Sequence, residues 1–310
     1  MENKIEISFV VVSYNCSEVI GKCVESLLTH APGQQYIIID NASKDGTAEI
    51  LNGFKGNVEL VINTTNTGFT KACNQGINMA KGEYVFLLNP DAYLSENTVG
   101  ELMSFFKTHP DAGAVAPLLY YPDERVQNYI RTFPTISGIF VESFLPMKSW
   151  NKFAAYRNYT CDDLNLKESQ KVEQPAGAAL LFRNDIKLDE NYFIYGSDVE
   201  LCQNIYDRGT PIYLVSSAKV YHYQSQGGTG DDYNPRLKMY LQLDSYYGYS
   251  RYFKLHRSKL YYSSYRMIFS GALFAVAFIS LFKMNAAVAK LKWKRFRLFV
   301  KHQNFTGYLK

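Results

Sequence analysis

Near the N-terminus, apolar runs stop abruptly at polar side chains. Phe9-Val10-Val11-Val12 gives way to Ser13-Tyr14-Asn15, and Ile37-Ile38-Ile39 gives way to Asp40-Asn41-Ala42-Ser43-Lys44-Asp45-Gly46. Continuous runs of β-branched and apolar residues of this length suit strands of a parallel sheet buried on both faces. The pattern recurs at residues 58–62, leading into Asn66-Thr67-Gly68-Phe69, and at residues 83–88, leading into Asn89-Pro90-Asp91. Helical stretches are predicted between the strands, over 17–29, 46–52, 70–80 and 95–108, with Ser17 and Ser95 as N-caps. Alternating strands and helices predict a doubly wound α/β domain. In open α/β sheets ligands sit beyond the carboxyl ends of the strands. Ser13, Asn15, Asp40, Asn41 and Asp45 then fall at one rim. Two carboxylates and two amides make a poor bare phosphate cradle but suit a base and ribose, which offer N–H and hydroxyl donors.

The length, 310 residues, is enough for one large α/β domain and an appendage. The five cysteines are scattered and form no CxxC pair, which predicts reduced thiols in an intracellular enzyme. The chain starts Met-Glu-Asn-Lys-Ile-Glu before a short strand, so no signal peptide is expected. Charge changes the picture at the other end. Residues 245–310 carry 13 Lys/Arg and no Asp or Glu, leaving 20 Lys/Arg with all 29 acids in residues 1–244. Such a split predicts a basic tail with an anionic partner. Within it, residues 267–282 carry no charge, a run marginal for crossing a bilayer. Farther on, Ala289, Trp293, Phe296 and Val300 share one helical face beside Lys290, Lys294, Arg297 and Lys301. Basic and aromatic faces on one helix suit an in-plane membrane helix, and the tyrosines around 246 and 261 suit a headgroup zone. A helical hairpin packed on the catalytic domain is the plainer alternative. Nucleic acid is not expected as a partner, because no reading motif accompanies the charge.

Asp91 directly follows a buried strand, and Pro90 fixes the turn before it. A hard oxygen ligand at that place suits Mg²⁺ or Mn²⁺ bridging phosphates, the alternative being a turn cap. Gly68 permits close backbone approach to a ligand, as does Gly177 at a small-residue strand. Asp45-Gly46 is alternatively only a turn and helix start. The first strand is followed by no G-x-G-x-x-G and the chain contains no GxxxxGK[ST], which argues against dinucleotide and P-loop chemistry. A sugar nucleotidyltransferase would be expected to carry a Gly-rich basic loop after strand one.

The order SYN, IIIDNASKDGT, NTGFTKACNQG, LLNPD, then QPAGAALLFR at 174–183, DENYFIYGSDVELC at 189–202 and Val220-Tyr221-His222 resembles the inverting family 2 glycosyltransferases of the GT-A fold. The likeness covers roughly residues 6–225 and is greatest to the bacterial rhamnosyl- and galactofuranosyltransferase-like branch. It implies a Rossmann-like, mostly parallel central sheet with helices on both faces over residues 1–244. Of these, 1–115 would bind the nucleotide sugar and 116–244 would form the acceptor and catalytic part; the charge pattern, not the likeness, sets off 245–310 as a helical, basic, membrane-associated segment. It implies a UDP- or dTDP-sugar donor held by Ser13, Tyr14, Asn15, Asp40, Asn41, Asp45, Asn66, Gly68, Phe69, Asn74 and Asn89. Asn89 stands where the wider family has the first Asp of Asp-x-Asp, leaving Asp91 as the charged metal ligand with His222 as its second protein ligand. Asp198 is implied as the catalytic base, with Gly177 and Glu200 on the acceptor side and Glu200 the fallback base. The family often has Glu where Ser197 precedes the base. The acceptor expected is a glycan or lipid-linked glycan in cell-surface polysaccharide synthesis, reached from the inner, cytoplasmic face of the membrane. The rival reading is a catalytically idle nucleotide-sugar or glycan-binding partner of another transferase.

Overall fold

Side chains covered on both faces turn the apolar runs into central strands. The computed structural model of the chain describes residues 5–175, 177–224, 235–283 and 286–302. In chain order the elements are β1 (Ile7–Ser13), α1 (Ile20–His30), β2 (Gln35–Asp40), α2 (Thr47–Asn52), β3 (Glu59–Ile62), α3 (Phe69–Met79), β4 (Tyr84–Leu88), β5 (Ala92–Leu94), α4 (Thr98–Thr108), β6 (Ala114–Tyr120), β7 (Ile130–Arg131), α5 (Ile136–Phe144), α6 (Ala154–Tyr159), β8 (Gln170–Val172), β9 (Gln174–Pro175), β10 (Ala179–Arg183), α7 (Ser197–Asp207), β11 (Ile212–His222), α8 (Pro235–His256), α9 (Lys259–Lys283) and α10 (Ala286–Lys301). A 3₁₀ helix, Met147–Lys152, precedes α6.

The chain forms two compact units. One, residues 1–133, 160–191 and 198–231, holds a nine-stranded sheet in the order β3-β2-β1-β4-β10-β6-β11-β5, with β8 also paired to β11. β1 pairs in parallel with β2 and β4, β2 with β3, and β6 with β11. β10 is inserted antiparallel between β4 and β6, and β5 and β8 run antiparallel to β11. Every residue of β1, β2 and β4 is buried, whereas β3, at the sheet edge, is half-covered. A Cβ on Gly76 would meet Val10 Cγ1 at 2.5 Å, so glycine lets α3 lie directly on β1. The mixed α/β sheet with flanking helices is the predicted fold class. The predicted N-caps are corrected. α1 starts after Val19 and α4 after Asn97, neither with a side-chain cap. The Ser17 amide is instead held by Asp45 Oδ2 at 3.0 Å, and Ser95 turns its hydroxyl toward the Lys219 carbonyl at 3.0 Å.

The other unit, residues 134–159, 192–197 and 232–310, is helical. α8 runs unbroken through the expected boundary at 244/245, so the helical region starts earlier than charge alone suggests. Phe253, Tyr265, Phe269 and Phe299 are fully buried and pack on one another in edge-on and tilted ring contacts. In the same unit the buried Asp244 accepts from the amides of Ile194 at 3.1 Å and Tyr195 at 2.9 Å. A Cβ on Gly248 would meet the Tyr195 carbonyl oxygen at 2.4 Å, which keeps α8 against that segment.

Candidate active site

Parallel β1, β2 and β4 bring their carboxyl ends to one rim, and the loops there are tied to one another. Ser13 Oγ donates to Asp40 Oδ1 at 3.0 Å. Ser43 donates to the same carboxylate twice, through Oγ to Oδ1 at 2.6 Å and through its amide to Oδ2 at 3.1 Å. Asn15, in the left-handed region at φ +49°, accepts from the Lys44 amide at 2.8 Å and donates its own amide to Ser43 Oγ at 2.9 Å. Tyr14 lies between these anchors and stays partly exposed. Asp45 Oδ1 accepts from the Thr47 amide and hydroxyl at 3.1 and 2.6 Å. Burial pushes the Asp45 carboxyl up, but the hydrogen bonds from Thr47 and Ser17 outweigh it and hold it below the usual range.

Asn41 joins this rim to the loop before α3. Its Nδ2 donates to Asn66 Oδ1 at 2.9 Å, and its Oδ1 accepts from the Thr67 amide at 3.1 Å and Asn63 Nδ2 at 3.2 Å. Asn66 Oδ1 also receives the Gly68 amide at 2.9 Å. Gly68 sits at φ +91°, ψ 157°, a conformation open essentially to glycine alone, and Phe69 opens α3 directly after it. Asn74 lies elsewhere in its bonding. Its amide is taken up by the Leu188 backbone, Nδ2 to O and Oδ1 from N, both at 2.9 Å, making it a strut under α3.

On the same rim Asp91 and His222 meet. β5 pairs antiparallel with β11 so that Ala92 faces His222, and the Tyr223 amide donates to the Asp91 carbonyl at 2.9 Å. His222 Nε2 is 3.3 Å from Asp91 Oδ1, and both side chains are buried. His222 Nδ1 is 3.0 Å from Gln127 Oε1, while the Gln127 amide nitrogen donates to the His222 carbonyl. In that network Nδ1 faces the Gln127 side-chain carbonyl oxygen as donor, and Nε2 is the ring atom turned toward the carboxylate. Adjacent ligand atoms around a divalent ion with bonds of ~2.1 Å lie ~3 Å apart, so the donor set and its spacing fit such an ion. Were His222 to ligate an ion, Gln127 would be the outer partner that orients its ring.

Asp198 reaches this rim through Gly177. Asn89, at the end of β4, donates its amide to the Ala178 carbonyl at 2.9 Å. The preceding Gly177 lies in the turn before β10, not inside the strand, and donates its amide to Asp198 Oδ2 at 3.3 Å. Gln174 Nε2 approaches the same oxygen at 3.4 Å, while its own Oε1 is buried with no hydrogen-bond partner among the described residues. Asp198 stands in the first turn of α7, where the helix dipole favours a carboxylate. Burial nevertheless pushes its carboxyl up, with the amides of Val199 and Gly177 pulling the other way. Glu200, one turn-half farther along α7, is buried. Sequence reading missed Ser43, Thr67, Asn63, Gln127 and Gln174 as organisers of these groups. Ser43, Thr67 and Gln174 lay inside the quoted motifs, whereas nothing in the sequence around Gln127 distinguishes it. A cleft of about 270 Å³ lined by Ile130, Arg131, Lys171, Glu173, Tyr206 and Ile212 adjoins the starting end of β11 and includes none of the expected site residues.

The sheet, its inserted antiparallel strand and this rim define a GT-A-type α/β protein. Residues 8–167 match the Glycosyl transferase family 2 profile, just over half of the chain. The N-acetylglucosaminyl-diphospho-decaprenol L-rhamnosyltransferase of Mycobacterium tuberculosis is 30% identical over 228 residues, covering 67% of this chain and 71% of that one. The chain belongs to glycosyl transferase family 2. The poly-beta-1,6-N-acetyl-D-glucosamine synthase of Staphylococcus epidermidis is 37% identical over 112 residues, covering 35% of this chain and 27% of its own length. The chain thus spans about a quarter of that synthase. S. aureus TarS 1-349 in complex with UDP-GlcNAc has the same fold, with a TM-score of 0.52 at 14% identity over 96% of this chain and 91% of that one. A longer TarS chain is covered to 43%.

Proposed function

We propose that the chain is an inverting, metal-dependent glycosyltransferase. It moves a sugar from a UDP- or dTDP-sugar to a glycan or lipid-linked glycan in cell-surface polysaccharide synthesis. The observation that carries the reading is the convergence on one rim of an Asp91–His222 pair spaced for a divalent ion and a carboxylate, Asp198, held on a glycine turn. Relatives named for rhamnosyl transfer to N-acetylglucosaminyl-diphospho-decaprenol and for synthesis of poly-beta-1,6-N-acetyl-D-glucosamine support the acceptor class. A TarS structure with UDP-GlcNAc supports a nucleotide-sugar donor.

Roles follow from the bonding. Ser13, Tyr14, Asn15 and the Asp40–Ser43 pair form the base and ribose side, where Asp40 Oδ2 keeps acceptor capacity beyond the Ser43 amide. Asn41, Asn66, Gly68 and Phe69 shape the wall beside it, with Asp45 and Asn89 at its margins. Asp91 and His222 would hold Mg²⁺ or Mn²⁺, which supplies positive charge to the departing diphosphate. Asp198 takes the proton from the acceptor hydroxyl as that oxygen bonds to the anomeric carbon. The nucleoside diphosphate leaves on the opposite face, inverting the anomeric centre. Desolvation makes Asp198 a stronger base than an exposed aspartate. Gly177 leaves room for the acceptor, and Glu200 stands behind. The protein works at the inner face of the cell membrane, held by the basic helical region.

The test is a panel of UDP- and dTDP-sugars with Mg²⁺, Mn²⁺ or chelator, following nucleoside diphosphate release and product anomer. Ion-dependent turnover with inversion is expected. Tight nucleotide binding without turnover on any donor or acceptor would overturn catalysis and favour the idle binding partner.

A further inference from the structure

α9 is predominantly apolar, with apolar residues on both its covered and its exposed face. Tyr265, Phe269, Leu273 and Ala277 turn inward and are buried. Leu260, Met267, Phe274, Phe278 and Phe282 recur at helical spacing on the opposite side and are 45–77% exposed. A contiguous exposed apolar stripe of this length marks an interaction surface. By length and composition alone Lys259–Phe282, whose most apolar 18-residue window has a mean hydropathy of 1.8, suffices to cross a bilayer.

α10 argues against crossing. It returns antiparallel along α9. The Arg266 guanidinium donates to the Phe299 carbonyl at 2.6 Å, and Phe274 packs edge-on against Trp293 and Phe296 at ring distances of 5.7 and 5.5 Å. This register sets Lys290, Lys292, Lys294, Arg295 and Arg297 beside the uncharged middle of α9. A spanning α9 would carry these cations into the hydrocarbon core, where each is costly. Lys290, Arg297 and Lys301 are exposed, and among the described residues none of them has an ion-pair partner. The apolar stripe and the row of free cations adjoin along the Phe274–Trp293–Phe296 seam.

The geometry points to an in-plane membrane clamp. The α9–α10 hairpin lies flat on an anionic bilayer, the outer stripe of α9 in the upper acyl region and the exposed cations of α10 among anionic headgroups. The absence of any Asp or Glu from residues 245–310 selects an anionic surface over a neutral one. This inference rests on the membrane-surface reading above and specifies its manner.

Trp150 and Trp293 are the chain's two tryptophans, so a Trp150→Phe variant of the full chain reports on Trp293 alone. It is mixed with phosphatidylglycerol/phosphatidylcholine vesicles brominated at shallow or deep acyl positions. A blue-shifted emission is expected, quenched at least ~2-fold more by shallow than by deep bromines, because in-plane amphipathic helices sit at the headgroup–acyl boundary. Binding should fall at least ~10-fold on pure phosphatidylcholine or at ~0.5 M salt, where exposed charges are screened. Phe278→Asp/Phe282→Asp and Lys290→Glu/Arg297→Glu/Lys301→Glu variants should each lose vesicle binding with unchanged far-UV circular dichroism. Vesicle binding with strongest quenching by deep bromines means the helix spans; it overturns the in-plane geometry and leaves membrane attachment standing. No binding to anionic vesicles, or self-association through α9 in its place, overturns both. Nucleoside diphosphate binding by the same sample reports on the proposed enzyme reading independently.

Discussion

The Gly177 amide donates to Asp198 Oδ2 at 3.3 Å, and the point where a Gly177 side chain would begin lies 3.0 Å from Asp198 Cβ. Gly177, in the turn before β10, therefore sets where the carboxylate of α7 can stand. Gly177→Ala should displace Asp198 by a few tenths of an ångström without unfolding the sheet. Transfer should fall by up to ~10²-fold, the scale of small misplacements in a reacting pair. Single-turnover transfer beside calorimetric nucleotide binding checks this, with binding expected to stay unchanged.

Asp198→Asn keeps shape and loses the proton acceptor. Transfer at saturating donor should drop ~10²–10⁴-fold, the usual size of general-base catalysis. Glu200→Gln should lose much less. The acid limb of kcat should lie above the ordinary aspartate value of 3.8, because burial raises the Asp198 carboxyl and only its ionised form accepts the proton. A pH–rate profile of the wild type, compared with Glu200→Gln, reads this directly.

Gln127 brackets His222, with Oε1 3.0 Å from the ring Nδ1 and its amide nitrogen donating to the His222 carbonyl. Gln127→Leu should lower Mn²⁺ affinity ~10–100-fold in the presence of UDP, the typical cost of removing a ligand's outer partner. Electron paramagnetic resonance of free Mn²⁺ measures it without any turnover. Asp91→Ala should lose the ion altogether.

Asp244 supplies the pH prediction. Burial pushes its carboxyl from 3.8 up to about 6 in the folded chain, against the pull of the Tyr195 and Ile194 amides. The folded state therefore binds the proton more tightly than the unfolded one. The stability this confers is complete below pH 3.8 and is lost as pH rises through about 6. The span is on the order of 3 kcal/mol for a shift of about two pH units. Asp244→Asn should remove that slope, so the wild-type-minus-variant stability should fall between about pH 4 and pH 7 in urea denaturation.

β1, β2 and β4 were legible because strands buried on both faces leave unbroken apolar runs, and the polar residues that end them mark the rim. Asp91 stood out as a carboxylate at the end of a buried strand, whereas His222 and Asp198 were singled out through the resemblance to the family. The rest depended on contacts distant in sequence. Nothing near 179–183 says that β10 runs antiparallel between β4 and β6. Asn74 reads like its neighbours at the rim, and only the position of Leu188 turns its amide into a strut. Gln127 is defined by a histidine 95 residues away. Ser17 is not a cap because the chain first turns through residues 17–19 and α1 begins only at Ile20.

The late strand also bears on how the chain is made. Until residue 183 has left the ribosome, β4 and β6 each lack the neighbour that β10 provides, and the nascent sheet has two open edges facing each other. Strand edges of this kind invite pairing with other chains. The stretch that matches the family profile ends at residue 167, so by itself it ends before this strand is reached. A fragment cut there should aggregate rather than fold, whereas one carried past β11 should close its own sheet.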